Sequence, residues 1–320
     1  MMSNRSIVIT GGIGFIGFAL AKALAKKKYK IYIIDIWDKK KIQYKKLKFI
    51  NDFKISYIRH NLTTKLKYKI KNVGYIFHTA GLLGVKFVEN NPLQCFINNT
   101  ECLKNVIKIA ENNKGCKILN FSTSEVYANS IKNYKNLPTP ENIDIIVKGK
   151  VNNRDSYALS KMFCEKLLEL SNLNYINLRP HNIYGPNMGV RHVIPELIIK
   201  MKKLNKVKIV SSRQSRCFCY IDDAVDQILT ISFSKLKKTT FNIGNPYEEI
   251  TIKKLSLKIS KLVNKKSLSL FFSNNNTKGS PQRRKPSIKK FKKYFVKKKF
   301  VNLDDGLNLT FNWYNKKQVS

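Results

Sequence analysis

The sequence predicts an α/β protein built on a doubly wound parallel sheet, followed by a smaller α/β lobe toward the C-terminus. Three observations lead there. Short β-branched runs alternate with helix-period segments through the first half of the chain, the order that buries a parallel sheet between layers of helices. A glycine-rich stretch, Thr10-Gly11-Gly12-Ile13-Gly14-Phe15-Ile16-Gly17, joins the first such run to the first helical pattern. Beyond about Gly185 the strict alternation loosens, and helical patterns interleave with short strands and Pro- or Gly-containing loops.

The elements follow in order. Ser6 to Thr10 reads as the first strand, and Phe15 to Lys27, apolar at helical spacing, as the first helix. Lys30 to Asp35, Ile55 to Arg59 and Val73 to Thr79 read as the next three strands. Pro92 to Asn112 is a helix with proline near its start, where a missing N–H does no harm. Lys117 to Ser122 is a strand, Tyr157 to Leu170 a helix and Tyr175 to Leu178 a strand. Further helical patterns lie at Val193 to Leu204, Asp222 to Ile231 and Ile252 to Val263, and the polar stretch Asn274 to Pro286 reads as a loop or flap. No internal repeat is present.

The glycines at 11, 14 and 17 sit where a strand should turn into a helix. There they allow a tight turn, a close approach of a pyrophosphate to the backbone, and close helix–sheet packing, with the diphosphate at the helix N-terminus. Asp35 ends the next strand, placed to hold both ribose hydroxyls and to repel the extra phosphate of NADP. The expectation is therefore a Rossmann domain that binds NAD. Tyr157-Ala158-Leu159-Ser160-Lys161 puts a phenol and an ammonium one turn apart on one helix face. The nearby positive charge is expected to lower the phenol pKa, so that tyrosine can serve as a base. Upstream, Ser122-Thr123-Ser124-Glu125-Val126-Tyr127 follows a strand and supplies hydroxyls and a carboxylate; Thr or Ser there can hydrogen-bond a hydroxyl as it becomes a carbonyl.

Together these segments resemble the extended short-chain dehydrogenase/reductase family, in particular its nucleotide-sugar epimerases, dehydratases and decarboxylases. The resemblance runs through nearly the whole chain. It includes the glycine turn, His78-Thr79-Ala80-Gly81, Pro92 with Asn99 and Asn105, STSEVY, and YALSK. It continues through Arg179-Pro180-His181-Asn182-Ile183-Tyr184-Gly185-Pro186 and Arg216-Cys217-Phe218-Cys219-Tyr220-Ile221-Asp222-Asp223. Asn242-Ile243-Gly244-Asn245-Pro246 and Arg283-Arg284-Lys285-Pro286-Ser287-Ile288 complete it. The resemblance implies a hydride-transfer triad of Thr123, Tyr157 and Lys161, with Glu125 as an additional catalytic carboxylate. It implies cofactor contacts at Gly11, Gly14, Phe15, Ile16, Gly17, Asp35, Asn61, Leu62, Thr79, Ala80, Gly81 and Asn99, besides Tyr157 and Lys161. Ser124, Asn182, Arg216 and Arg284 would touch the substrate, the arginines because a guanidinium grips phosphate or carboxylate bidentately. For Arg216 the alternative is a surface salt bridge; His78 and His192 are read as structural or peripheral. Residues 1–185 would form the NAD-binding domain and 186–320 mainly a substrate-binding lobe, with some segments returning to the sheet.

Departures from the family pattern mark a divergent member. Asn61 stands where an adenine-contacting Asp is common, Cys102 and Leu103 where Gly-Thr is usual, and Ala128 where Gly ends the VYG turn. Oxidation of the sugar at C4 opens three branches: epimerisation, decarboxylation of a uronate, and dehydration. A carboxylate at Glu125 is the mark of dehydratases and decarboxylases, and the RRKPSI and NIGNPYEEITI segments look most like UDP-glucuronate decarboxylases. The RPHNIYGPNMG run reads like epimerase/dehydratase members of surface-polysaccharide clusters, so a 4-epimerase and a 4,6-dehydratase stay open. A non-catalytic dinucleotide-binding regulator is the reading from another class; it predicts a damaged triad, and the triad is intact.

Bulk properties narrow the rest. A chain of 320 residues, 43% hydrophobic and 11% aromatic, can bury a full core. No apolar run approaches the ~18 residues of a membrane span, and Met1-Met2-Ser3-Asn4-Arg5 runs straight into the first strand without room for a signal peptide. The expectation is a cytoplasmic protein that does not engage membrane. Six cysteines, at 95, 102, 116, 164, 217 and 219, show no CxxC pairing and no companion histidines, so neither a metal site nor disulfides are expected. The net charge of +41 is spread from Lys22 to Lys317 rather than gathered on one tail or face. It therefore points to an anionic substrate and not to nucleic acid. By resemblance the chain is expected to form a homodimer through the helices holding Asn99 and Tyr157.

Overall fold

Five consecutive buried residues, Ser6–Thr10, form β1, and burial on both faces is what a central strand of a parallel sheet requires. The computed structural model describes residues 5–133, 137–274, 281–296 and 299–316. The loop expected over Asn274 to Pro286 is thus described only at 274 and 281–286, and the Lys297 to Lys299 run only at Lys299; their other positions, Met1 to Asn4 and Lys317 lie outside the described residues. The strands are β1, β2 (Ile31–Asp35), β3 (Ser56–Arg59), β4 (Val73–His78), β5 (Lys117–Phe121), β6 (Asn174–Pro180), β7 (Ile183–Tyr184), β8 (Lys206–Ile209), β9 (Ser215–Cys217), β10 (Cys219–Tyr220), β11 (Thr239–Ile243), β12 (Glu249–Thr251), β13 (Ser269–Phe272) and β14 (Arg283–Arg284). The helices are α1 (Phe15–Ala25), α2 (Tyr44–Asp52), α3 (Val85–Asn90), α4 (Pro92–Glu111), α5 (Ser130–Asn133), α6 (Asp155–Glu169), α7 (Val193–Lys203), α8 (Ile221–Ser232), α9 (Ile252–Val263), α10 (Lys289–Tyr294) and α11 (Leu303–Lys316).

Seven strands form one sheet in the order β11-β6-β5-β4-β1-β2-β3. Strand order reverses at β1, the switch point beside which open α/β sheets bind ligands. Most elements match the sequence reading within two residues. The Tyr157 helix begins earlier, at Asp155, because a carboxylate suits the positive end of a helix and this one also accepts the Asn152 N–H at 2.9 Å. One face of the sheet is covered by α4 and α6, which pack on each other. Val8, Ile76, Ile118 and Tyr175 stand in register across β1, β4, β5 and β6 and join Leu103 and Val106 of α4 and Cys164 and Leu168 of α6 in one buried cluster. Each such side chain contributes about 1.5–3 kcal/mol by leaving water.

Two residues further along the same strands, toward their carboxyl ends, the register row becomes polar: Thr10, His78, Asn120 and Asn177, all buried. Thr10 Oγ1 lies 2.8 Å from His78 Nδ1, and Asn120 donates to Asn177 at 2.8 Å. Pairing within the row reduces the cost of burying these groups. It also marks where apolar core gives way to the functional end of the sheet.

Two compact units emerge from the contacts: residues 1–126, 147–179 and 228–241 in one, and 127–146, 180–227 and 242–320 in the other. Against the expectation of a boundary at 185 with some later segments returning to the sheet, this division departs at residues 127–146 and 180–185. Residues 127–146 belong with the second unit and 228–241 with the first, because β11 completes the large sheet beside β6. The second unit holds α7, α9 and α11 packed together, a parallel pair β8–β13 and a three-stranded sheet β12-β9-β14.

Candidate active site

The turn after β1 has the shape its glycines allow. Gly11 has φ +67°, a left-handed conformation that L side chains rarely adopt; a Cβ there would also come within 2.8 Å of the Ala80 backbone. At Gly17 a Cβ would meet the Gly11 carbonyl at 2.5 Å and Thr79 Oγ1 at 2.7 Å. Position 14 differs: only the Gly11 carbonyl, at 3.0 Å, lies within 4 Å of where its Cβ would stand. Gly14 caps α1, so Phe15, Ile16 and Gly17 occupy the first turn, whose N–H groups have no partner within the helix. The turn is packed from beneath and open above, the cradle a pyrophosphate needs.

The other predicted cofactor residues lie in the same unit, and Asp35, Thr79 and Ala80 touch the turn. Asp35 is buried at the end of β2; its Oδ2 accepts the Ile13 N–H at 3.0 Å and its Oδ1 the Ile36 N–H at 2.8 Å. Burial raises its pKa, while these backbone donors and the charge of Lys46 oppose that rise. A carboxylate offers about four acceptor positions, so hydroxyls can be added to the two bonds already made. Thr79 donates to the Thr10 carbonyl at 2.6 Å, and the Ala80 N–H reaches Thr10 Oγ1 at 3.3 Å, which fastens the end of β4 to the turn. Asn61 is exposed, with its Oδ1 accepting the Thr63 N–H at 3.1 Å. Leu62 is a core side chain whose carbonyl accepts from Asn105 at 2.8 Å. Asn99 is buried and spends its amide locally: Oδ1 accepts the Leu82 N–H at 2.7 Å, and Nδ2 donates to Ser160 at 2.9 Å. It thereby ties the 81–82 loop to α6.

The catalytic candidates of the first unit come together. Thr123 Oγ1 accepts the Glu125 N–H at 3.2 Å at the head of a single 3₁₀ turn over Ser124–Tyr127. The Thr123 side chain and the Glu125 carboxylate are both near enough to the Tyr157 phenol to act on its pKa. Lys161, one turn further along α6, is buried with its Nζ beside Gly81, where a Cβ would come within 3.1 Å of it. That contact brings the catalytic end of α6 against the strand β4 end that borders the glycine turn. The expected lowering of the phenol pKa is not found. Burial pushes Tyr157 upward, the Glu125 charge adds to this, and the Thr123 hydroxyl opposes it. Burial also lowers the pKa of Lys161 itself. His78, at the base of this group, is pushed down to about 3 by burial and by Lys161, and so stays neutral.

The second unit carries the three remaining candidates. Asn182 has φ +44° and donates through Nδ2 to the Cys217 carbonyl at 3.1 Å, while its own carbonyl accepts the Cys219 N–H at 3.2 Å. Arg216 and Arg284 are paired residues of the parallel strands β9 and β14, so their side chains leave the same face of that sheet. Both are buried. Arg216 is therefore no surface salt bridge: it donates to Gln214 Oε1 at 2.8 Å and to the Ser215 carbonyl at 2.6 Å. The opposite face holds Arg283, engaged by Glu249 through bonds of 2.7 and 2.8 Å, and Ser215, which donates to the same carboxylate at 2.5 Å. Arg283 holds the Glu249 carboxyl at about 2, well below its usual range. The pleat thus puts Arg283 with Glu249 on one face of this sheet and sets Arg216 beside Arg284 on the other.

Sequence reading missed several supports of this site. Glu165 accepts a bidentate pair from Arg179 at 2.9 and 2.6 Å, fully buried one turn beyond Lys161. Ser160 and Lys46 were likewise not singled out. Ser160 lay inside the YxxxK motif, but nothing in that spacing announces its bond to Asn99.

The same fold is found among known proteins. The model of the NAD dependent epimerase/dehydratase family matches residues 7–244. UDP-N-acetyl-alpha-D-glucosaminuronate decarboxylase of Bacillus cytotoxicus is 28% identical, over 97% of this chain and 98% of its own. UDP-glucuronic acid decarboxylase 5 of Arabidopsis thaliana is 30% identical over 96% of this chain and 88% of its own. Among solved structures, UDP-N-acetylglucosamine 4-epimerase from Methanobrevibacter ruminantium M1, in complex with UDP-N-acetylmuramic acid, superposes with a TM-score of 0.84 at 24% identity, covering 98% of this chain and 99% of that one. DesIV, a dTDP-glucose 4,6-dehydratase from Streptomyces venezuelae with NAD and TYD bound, gives 0.84 at 18% identity, covering 98% of both. At these identities the structural likeness speaks for the fold.

Proposed function

Because the chain belongs to the NAD dependent epimerase/dehydratase family, we propose that it is a nucleotide-sugar decarboxylase that works through a transient 4-keto uronate. The observation that carries the reaction class is the nearness of Thr123 and Glu125 to Tyr157, with Lys161 one turn along α6 and beside Gly81. The choice of branch is supported by relatives named as uronate decarboxylases that match nearly end to end.

The glycine turn fits a dinucleotide, since its lower side is filled and its upper side open at Gly14. When bound, NAD supplies a nicotinamide ring that takes hydride from sugar C4 and later returns it. In this reading the first turn of α1, at Phe15, Ile16 and Gly17, holds the pyrophosphate; Asp35 holds the adenosine ribose; Asn61 and Leu62 border the adenine. Thr79, Ala80 and Gly81 line the way to the ring, and Asn99 acts from behind by fixing the 81–82 loop and Ser160. Tyr157, as the phenolate, accepts the C4 hydroxyl proton while Thr123 holds that oxygen, and Lys161 stabilises the phenolate before the transfer. Glu125 and Ser124 face the sugar. Asn182, Arg216 and Arg284 hold its diphosphate or carboxylate. Once C4 is a ketone, the carboxylate on C5 is β to it. The bond to that carboxylate can then break, leaving its electrons in an enolate as carbon dioxide departs. A proton returned to C5 and hydride returned to C4 complete the cycle.

The same reading places the enzyme in the cytoplasm, making sugar donors for polysaccharide synthesis; six buried free thiols are in keeping with a reducing compartment. Among the described residues no helix is long and apolar enough to cross a membrane. It also makes the protein a homodimer through α4 and α6. Leu93, Ile97 and Phe163 are exposed on those helices, and Phe96 and Phe163 lie 5.7 Å apart there.

The test is incubation with a panel of UDP-, GDP-, dTDP- and CDP-sugars followed by mass spectrometry. UDP-glucuronate or its N-acetylglucosamine counterpart should lose carbon dioxide. Loss of water from a hexose, or an unchanged mass with inversion at C4, would replace decarboxylation by one of the other branches.

A further inference from the structure

Lys46 is buried on α2, with Ile50 one turn further on. A lysine ammonium enters such a place only where its charge finds partners. Its Nζ donates to the Ile13 carbonyl at 2.6 Å and lies 5.2 Å from the centre of the Phe18 ring on α1. Ile13 is the middle residue of the glycine turn, and its N–H donates to Asp35 Oδ2 at 3.0 Å. One residue of the turn is therefore held at both ends of its backbone: by a carboxylate from β2 and by an ammonium from α2.

We propose that Lys46 is a positioning residue for the dinucleotide, locking the glycine turn and Asp35 into the arrangement that receives pyrophosphate and adenosine ribose. This rests on the reading of the turn as the NAD site. Nothing in the chemistry of hydride transfer calls on Lys46, and no substrate contact is assigned to it. Its effect on Asp35 runs in the same direction as the proposal, since its charge opposes the rise that burial imposes on that carboxyl. Without the ammonium, the Ile13 carbonyl loses a charged donor and Asp35 a neighbouring positive charge, so the turn is free to relax away from the ligand.

The experiment is calorimetric titration of the full-length chain with NAD alone. Lys46→Met should bind NAD roughly tenfold or more weakly, the loss expected for a hydrogen bond to a charged group. Lys46→Arg should recover most of that loss, and Lys46→Gln less. At saturating NAD, kcat should stay near that of the unsubstituted chain. A folded Lys46→Met protein that binds NAD as tightly as the original overturns the inference, even if its Tm falls. Should Lys46→Met not fold, the comparison passes to Lys46→Gln and Lys46→Arg, and equal NAD affinity in those two overturns it. Failure of the unsubstituted chain to bind NAD would instead remove the cofactor reading and this inference together.

Discussion

At His78, burial and the neighbouring Lys161 act in the same direction, holding the imidazole neutral with its Nδ1 against Thr10. Its folded-state value, about 3, lies below the ordinary 6.5, so between those values the unfolded chain binds the proton that the folded chain refuses. Stability from this residue is complete above pH 6.5 and falls as pH drops toward 3, at up to about 1.4 kcal/mol per pH unit. Urea unfolding across that range should show the decline, and His78→Asn should flatten part of it; an unchanged slope would mean the imidazole titrates normally. Tyr157 presents the opposite case, a group that burial and the Glu125 charge hold toward its protonated form. Tyr157→Phe should lower turnover by at least ~10²-fold with NAD affinity retained, read by steady-state kinetics and titration. The YxxxK spacing made Tyr157 and Lys161 legible, since a helix brings i and i+4 together whatever its surroundings. The direction of their pKa shifts was not legible, because it depends on how deeply each is buried. Lys46 was hidden for another reason: among so many lysines, the one that turns inward has no distinguishing neighbour in sequence.

On the scale of elements, the sequence showed most of what repeats. Strand runs, helical periods and the glycine turn appear where expected because each is set by local geometry. The ion pair of Glu165 and Arg179 is not local. It joins α6 to β6 across 14 residues, and only the packed structure brings the two together. Its bidentate geometry fixes α6 against the sheet one turn from Lys161. Arg179→Met, which leaves a buried carboxylate alone, should destabilise the protein by about 3–5 kcal/mol in denaturant unfolding. The paired substitution Glu165→Leu with Arg179→Met should recover a good part of that. If the single substitution costs no more than the double, the pair is not what holds the helix.

For the whole molecule, charge and apolar surface make separate demands. With 61 basic against 20 acidic residues, the chain attracts anions, and salt should screen that attraction. The KM for a nucleotide sugar is therefore expected to rise with ionic strength while kcat changes little; a flat KM would confine recognition to short-range contacts. The exposed apolar stripe of α4 and α6 is the other demand. Phe163→Glu should convert a dimer to a monomer in sedimentation, and a chain already monomeric would remove the proposed interface. Domain boundaries were the least legible feature at this scale, since residues 127–146 and 228–241 each join a unit formed mainly by other stretches of chain.

The small sheet of β12, β9 and β14 carries a vulnerability of its own. Its two successive arginines have opposite fates only because of where the chain enters the strand. Deleting a single amino acid just ahead of β14 would exchange their sides, giving the carboxylate of Glu249 the guanidinium of Arg284 and setting Lys285 beside Arg216. The composition would scarcely change, yet the side-by-side arginines proposed to hold the substrate's anionic part would be parted by a slip of one residue.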